Sequence, residues 1–537
     1  MNGSTRTAGR TSPRRATRSL GGAALTLSAV AALTALVLHG CRDASSPALR
    51  PLRIAVHSEP LALDPHLRNE QLTFGTLSNV FDALTRFDAR SKVGPALAVQ
   101  WENPDDLTWI FHLRPYVKFH DGRALGADDV VFSLRRARTL AGSDVTSYVV
   151  AVAEARAIDP LTVEIKTTRP YPLLLNKLAF VLIVPSGSPD VIREPVGTGA
   201  YRLVPSAPGV AVTLEAFADF WGGQAAEPAV ELIAEPNAER RVERLIAGDV
   251  DVAQELSADL LPRVEQSAGC KVLRQDSLEV AYLSLRIGEA PLADLRVRQA
   301  IDLALDRQAL VDRLLGGHGS PLGQVAGRNI VGSDPDIGVT ARDLPRARAL
   351  LAAAGFPSGL DLEMETRPGR HADAEALAAQ LAGAGIRLRT RELAWTDLYP
   401  RLLAGEVGIY LGGIICATAD ASDFFDAKAH SRQPERGYGT SNFSRYSNPV
   451  LDRLIEDSNN TFDLLDRRKR LQACMRLAMA DLAYIPLYTA AQLYGVRDGL
   501  DWQPRNDGFI LARDIRRRGV AAKERDPLGR PPQRPDS

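Results

Sequence analysis

His120 and Asp121, adjacent in the stretch KFHDGR, have the chemistry of a proton-transfer pair, because an imidazole beside a carboxylate can take and return a proton near neutral pH. Catalysis also needs a nucleophile or an activated water. The sequence contains no His-Glu-x-x-His for a zinc-bound water, no Gly-x-Ser-x-Gly elbow and no P-loop. Asp121-Gly122 is a turn dipeptide, so the pair is read as fixing a turn. Gly197-Thr198-Gly199 resembles the start of a dinucleotide fingerprint, but Arg202 stands where the last glycine is required. Gly316-Gly317-His318-Gly319-Ser320 follows a helical stretch and suits a helix stop. His57, His66, His371 and His430 are candidates for ligand-facing loops, yet no two have the spacing that puts two metal ligands on one helix face. No metal and no cofactor are expected.

The elements that hold these residues alternate between strand and helix. Trp109, Phe111 and Leu113 alternate with Ile110, His112 and Arg114, which places the large apolar groups on one face of a strand. Asp128 and Asp129 suit the first turn of a helix, where free amides favour negative charge. Apolar residues at Val297, Ile301, Leu305 and Leu310 predict a helix over 297–315, and Asn448 followed by Pro449 predicts another over 448–456. A third helix is read over 372–384. Strands are predicted over 360–364, 386–390 and 407–415, with a hairpin around Pro208-Gly209 joining 201–204 to 210–217. The class is α/β. At 537 residues the chain exceeds what one core supports, so at least two lobes are expected.

Charge and cysteine content narrow the function. The 65 basic and 65 acidic residues leave no bulk charge for nucleic acid, and 45% hydrophobic residues suffice for large cores. Residues 1–18 carry Arg6, Arg10, Arg14, Arg15 and Arg18 and no acid, and an uncharged, largely apolar run over 20–38 leads to Leu38-His39-Gly40-Cys41. This reads as an export signal. Its end resembles a lipobox, in which Cys41 would be lipidated and become the mature N-terminus. An uncleaved membrane helix is the alternative, and either places the rest of the chain outside the cytoplasm. Cys270, Cys416 and Cys474 then remain, allowing at most one intrachain disulfide. Cys474 falls in a helical run and is read as a buried thiol. The arginine- and proline-rich residues 516–537 are predicted to be a disordered tail.

The stretch LTWIFHLRPYVKFHDGRALGADDVVFSLRRA (residues 107–137) closely resembles the segment that marks family 5 of the extracellular solute-binding proteins. These are the ligand-capturing subunits of ABC importers for peptides, nickel complexes and related solutes. LRIAVHSEPLALDPH (52–66), FDALTRFDARSKVGPALAVQWE (81–102), PVGTGAYRLV (195–204), LADLRVRQAIDLALDRQALVDRLLGG (292–317), ARALLAAAGFPSG (347–359) and NFSRYSNPVLDRLI (442–455) follow the family's wording in its order. The resemblance extends over residues 52–515.

The resemblance implies a periplasmic-binding-protein type II fold, with two lobes around a cleft and an additional domain in the first lobe. The first lobe would assemble from residues 52–81, 195–281 and 490–515, the additional domain from 82–194, and the second lobe from 282–489. The hinge would lie near Tyr282 and Thr489. The implied function involves no catalysis: a monomeric lipoprotein, anchored through Cys41 at the periplasm or cell surface, captures a peptide or peptide-sized solute by lobe closure and delivers it to ABC permease and ATPase subunits. A nickel complex, an oligosaccharide, or a sensor role without transport are alternatives on the same fold, and a secreted hydrolase is the alternative from another class.

Particular positions carry over. Peptide binders of the family present an aspartate to the peptide's amino terminus within a G-W-x-A-D-Y stretch; the matching GGIICATADASDFF (412–425) has Ile414, Ala417 and Thr418 at the Trp, Asp and Tyr positions. Asp420 is left as a substitute acid, and the alternative is that Asp420 and Asp423 are both solvated loop acids. Trp395 matches a family tryptophan at the cleft, Tyr488 a cleft-facing position, and Asn69 a position where an oligopeptide binder uses an acid. The expected ligand-binding residues are therefore Trp395, Thr418, Asp420, Tyr488 and Asn69.

Overall fold

A computed structural model describes residues 50–205 and 211–519. Cys41 with the expected export segment, and the turn at Pro208-Gly209, lie outside the described residues.

The strand Leu52–Val56 is a nearly continuous apolar run, as a strand covered on both faces must be. It pairs in parallel with Ala229–Ala234 on one side and Val252–Ala253 on the other. Antiparallel strands Val212–Ala216 and Tyr201–Val204 extend that edge. A second group centres on Glu279–Leu285, which pairs with Ile409–Ile415; Leu360–Thr366 and Ile386–Glu392 continue it in parallel register. The long strand Tyr484–Arg497 joins the two groups. Its residues 484–490 pair with Glu279–Leu285 and Gly319–Pro321, whereas residues 491–497 pair with Cys270–Asp276 and, further along, Val252–Ala253. One strand thus crosses between two lobes whose apolar cores are separate: Leu52, Ile54, Phe81 and Tyr201 belong to one, and Leu283, Ile301, Met364 and Leu411 to the other.

A four-stranded antiparallel sheet, in the order Ala98–Asp105, Thr108–Leu113, Thr162–Thr167, Val152–Asp159, stands beside the first lobe and carries the helix Ala127–Thr139. Trp109, Phe111 and Leu113 are buried on one face and merge with the first lobe's core. The Asp129 carboxylate accepts from the Gly126 amide at 2.8 Å and the Ser186 amide at 2.7 Å, closing the N-terminus of the helix. His120 clips this region to the lobe: its ring bonds the Gly199 carbonyl at 3.0 Å and the Gly197 amide at 3.3 Å. Both glycines lie against the backbone of residues 79–81, where a Cβ on Gly197 would come within 2.0 Å of the Val80 carbonyl oxygen. The Gly-Thr-Gly stretch is a close backbone contact against residues 79–81.

Two expectations are corrected. The helix over 297–315 is two helices, Leu295–Ala304 and Arg307–Leu315, because the Asp306 carboxylate caps the Ala309 amide at 2.9 Å and starts a new helix. Residues 516–517, expected to open a disordered tail, are instead held in a short strand, and residues 520–537 lie outside the described residues. Arg516–Arg517 pairs with Leu500–Asp501, and the Arg517 guanidinium neutralises Glu227, whose side chain is fully buried. A buried carboxylate without such a partner is costly, which explains why Arg517 is held. Among the described residues no helix is long and apolar enough to cross a membrane.

Candidate functional site

The loop after the strand Ile409–Ile415 meets the short helix Leu174–Leu178, which packs on the first lobe's side. Ala419 adopts a left-handed φ of 58°, and the loop is pinned to Val331 by two backbone bonds of 2.9 Å, Val331 N to Ala419 O and Ala421 N to Val331 O. That shape turns Asp423 back on its own loop. One carboxylate oxygen accepts from the Thr418 amide at 2.8 Å and the Thr418 hydroxyl at 2.7 Å; the other accepts from Lys177 Nζ at 2.9 Å. Asn176 Nδ2 donates to the Thr418 carbonyl at 2.8 Å. Burial opposes the charge on Lys177, and the Asp423 carboxylate outweighs it, so the ammonium is held above its ordinary value. Lys177 also lies 5.7 Å from the Tyr148 ring, and Asn69 Nδ2 bonds the Tyr148 hydroxyl at 3.4 Å. Asn69 and Thr418, far apart in sequence, are thereby linked through Tyr148, Lys177 and Asp423.

Asp420 faces the other way. Arg467 holds it with two nitrogens, Nη2 at 2.9 Å and Nε at 3.2 Å, and the Ser422 amide donates to it at 2.9 Å. Its carboxylate is fully engaged inside the second lobe.

Trp395 and Tyr488 belong to a second centre. The Tyr488 hydroxyl donates to Asp373, which also pairs with Arg370 at 3.3 Å; Arg370 reaches Glu279 at 3.2 Å, next to the chain crossing. Burial, and then Asp373, raise the Tyr488 phenol above its usual range. Trp395 is 44% exposed, its ring is 5.0 Å from Tyr399, and the Arg367 guanidinium lies 5.9 Å over its face. Tyr399 meets Phe443, and Phe443 meets Tyr410, both edge-on. The Lys428 ammonium sits 5.4 Å from the Phe443 ring and 5.7 Å from that of Tyr282. Lys428 is 9% exposed, and burial pushes its ammonium below the ordinary lysine value. Among the described residues neither Arg367 nor Lys428 makes an ion pair or a side-chain hydrogen bond. The centre is an aromatic wall with two uncommitted cations.

The histidines are engaged elsewhere. His66 is buried between the Leu182 carbonyl at 2.8 Å and Arg136 at 2.9 Å, and His430 stacks on Tyr438 and bonds Glu456 at 3.1 Å. Cys270, Cys416 and Cys474 are free, buried thiols. Among the described residues no three His, Cys, Asp or Glu side chains converge as metal ligands do.

A search against known proteins accords with this architecture. The profile of bacterial extracellular solute-binding proteins, family 5 Middle, matches residues 92–435. The chain belongs to family 5 of the bacterial extracellular solute-binding proteins. The dipeptide-binding protein of Escherichia coli (strain K12) is a family 5 relative 25% identical over 480 residues, covering 82% of this chain and 89% of that protein. HbpA2 from Haemophilus parasuis superposes with a TM-score of 0.78 at 24% identity, covering 87% of this chain and all of that structure (100%). The PBP/SBP MoaA in complex with mannopinic acid, from A.tumefacien R10, gives 0.71 at 27% identity, covering 87% and 99%. The family 5 fold here is the type II periplasmic-binding-protein architecture, two lobes around a cleft with an additional domain.

Sequence reasoning did not single out Lys177, Arg367 or Lys428, and it weighed Asp423 only as a loop acid. Arg367 had a readable signal, since Arg367-Pro368-Gly369-Arg370 places two cations on a turn directly after a strand. Lys177 had none.

Proposed function

We propose that the protein is the substrate-binding subunit of an ABC importer, which captures a peptide-sized solute carrying a carboxylate or similar anion and delivers it to a membrane permease by closure of the lobes. One observation carries the charge preference: the acids of the cleft loop are already paired, Asp423 with Lys177 and Asp420 with Arg467, while Arg367 and Lys428 on the aromatic wall lack counter-ions. A planar guanidinium reads a carboxylate through two parallel bonds, and charge-assisted bonds of that kind are the strong ones. Trp395 and Tyr399 supply the flat apolar surface that such a solute covers as closure removes water. In this reading Trp395 contacts the solute, Tyr488 orients Arg370 through Asp373, Thr418 and Asn69 lie at the cleft's edge, and Asp420 shapes the loop.

Delivery requires that the loaded, closed form differ from the open one, and the solute stabilises closure only by binding the closed form better. The relatives named for dipeptides and for mannopinic acid take solutes that carry an acid group, which agrees with a cationic wall. Anchoring through a lipidated Cys41, in the periplasm or at the cell surface, completes the proposal. A thermal-shift panel of dipeptides, N-acylated amino acids, sugar acids and their neutral amides tests it. Acids raise the melting temperature saturably and the amides do not; a panel in which neutral or cationic solutes bind best contradicts the charge preference.

A further inference from the structure

Lys177 and Asp423 are 246 positions apart in sequence and face each other from two sides, the lysine on a helix packed on the first lobe's core and the aspartate on a second-lobe loop, yet their side chains meet at 2.9 Å with only 17% and 12% of their side-chain surfaces exposed. The lysine follows Asn176, whose amide grips the Thr418 carbonyl, so one short helix makes two adjacent bonds to one loop. A third contact runs the same way: the Trp109 ring of the additional domain lies 5.9 Å from Phe462 of the second lobe. The two lobes have separate main cores joined through crossing strands, and Phe87 and Arg169 also lie against the second lobe, the Arg169 guanidinium 5.9 Å over the Tyr438 ring. A bond within either core would fix nothing between the lobes; these bonds do.

We propose that Lys177 is a built-in occupant of the cleft acid Asp423, a latch whose ammonium holds the lobes together when no solute is present. The inference rests on lobe closure but not on which solute is captured. The pair is largely shielded from water, so salt screens it less than it would a surface pair. Thr418 holds Asp423 in place through its amide and hydroxyl, so the carboxylate is positioned for the lysine before the lobes meet. A solute that carries an amine reaches Asp423 only by displacing Lys177, which sets the latch against amine recognition and leaves the anionic end of a solute to the aromatic wall.

The test measures lobe separation without solute. Spin labels at Asp106→Cys in the additional domain and Glu435→Cys in the second lobe, both exposed, report the distance by double electron–electron resonance. The unliganded protein is expected to give one short distance, whereas Lys177→Met shifts the distribution to longer values, lowering the closed-to-open ratio by about tenfold or more. The near-isosteric Asp423→Asn gives the same shift and serves as the readout should Lys177→Met fold poorly; Lys177→Arg keeps the short distance. Unchanged distances in both disrupted variants overturn the latch, as does an unliganded protein already as open as Lys177→Met. No solute enters this experiment, so its failure leaves solute capture standing, and failure of the thermal-shift panel leaves the latch standing.

Discussion

Arg467 closes on Asp420 from two nitrogens of one guanidinium, 2.9 and 3.2 Å away, and the two residues are 1% and 3% exposed. A pair buried this deeply tolerates loss of one partner poorly, because the survivor is left as an uncompensated charge. Asp420→Ala is therefore expected to lower the unfolding free energy of the ligand-free protein by about 3–5 kcal/mol, read from urea denaturation. A residue whose only task is to touch solute would leave that quantity unchanged.

Arg367 should behave in the opposite way. It is exposed and bonded to nothing among the described residues, so Arg367→Gln is expected to leave ligand-free stability within about 0.5 kcal/mol of the parent. Loss of a charge-assisted bond to an anionic solute should weaken binding roughly tenfold to a hundredfold by calorimetry. Trp395 fluorescence should change on binding in the parent.

His66 predicts a pH dependence. Burial, reinforced by Arg136, holds its imidazole down to about 4 from 6.5. As pH falls through the unfolded value, the unfolded chain takes up a proton that the folded protein refuses, so stability declines from about pH 6.5 and this contribution levels off below about pH 4. The slope from this one group approaches about 1.4 kcal/mol per pH unit. His66→Gln should flatten the stability profile within that window, measured by chemical denaturation at a series of pH values.

Gly197→Ala tests the backbone clip. Its added carbon would sit 2.0 Å from the Val80 carbonyl oxygen, which belongs to backbone and cannot swing aside. The substitution should separate His120 from residues 197–199 and cost several kcal/mol, by analogy with other severe overpacking. A loss below about 0.5 kcal/mol would show that residues 79–81 yield.

Much of this was legible in the sequence because it is local. The buried alternation Trp109, Phe111, Leu113, the Asn448 cap over Val450 and Leu451, and the acidic start of the helix Ala127–Thr139 depend on neighbours within a few positions. The break at Asp306 was local too, but its apolar spacing concealed a capping carboxylate. The site was less legible, since its defining pairs are joined only by folding: Lys177 with Asp423, Asp420 with Arg467, Arg517 with Glu227. No spacing rule connects such residues. Asp420 and Asp423 looked equivalent as loop acids, and only the left-handed turn at Ala419 sends one into the second lobe and the other toward the first.

Capture of an anionic solute on the cationic aromatic wall is read directly by native mass spectrometry of the protein purified from cells, before and after mild unfolding. One small acid bound per chain is expected, released on unfolding and missing from purified Arg367→Gln. A neutral or cationic passenger, or an acid retained equally by Arg367→Gln, would contradict it.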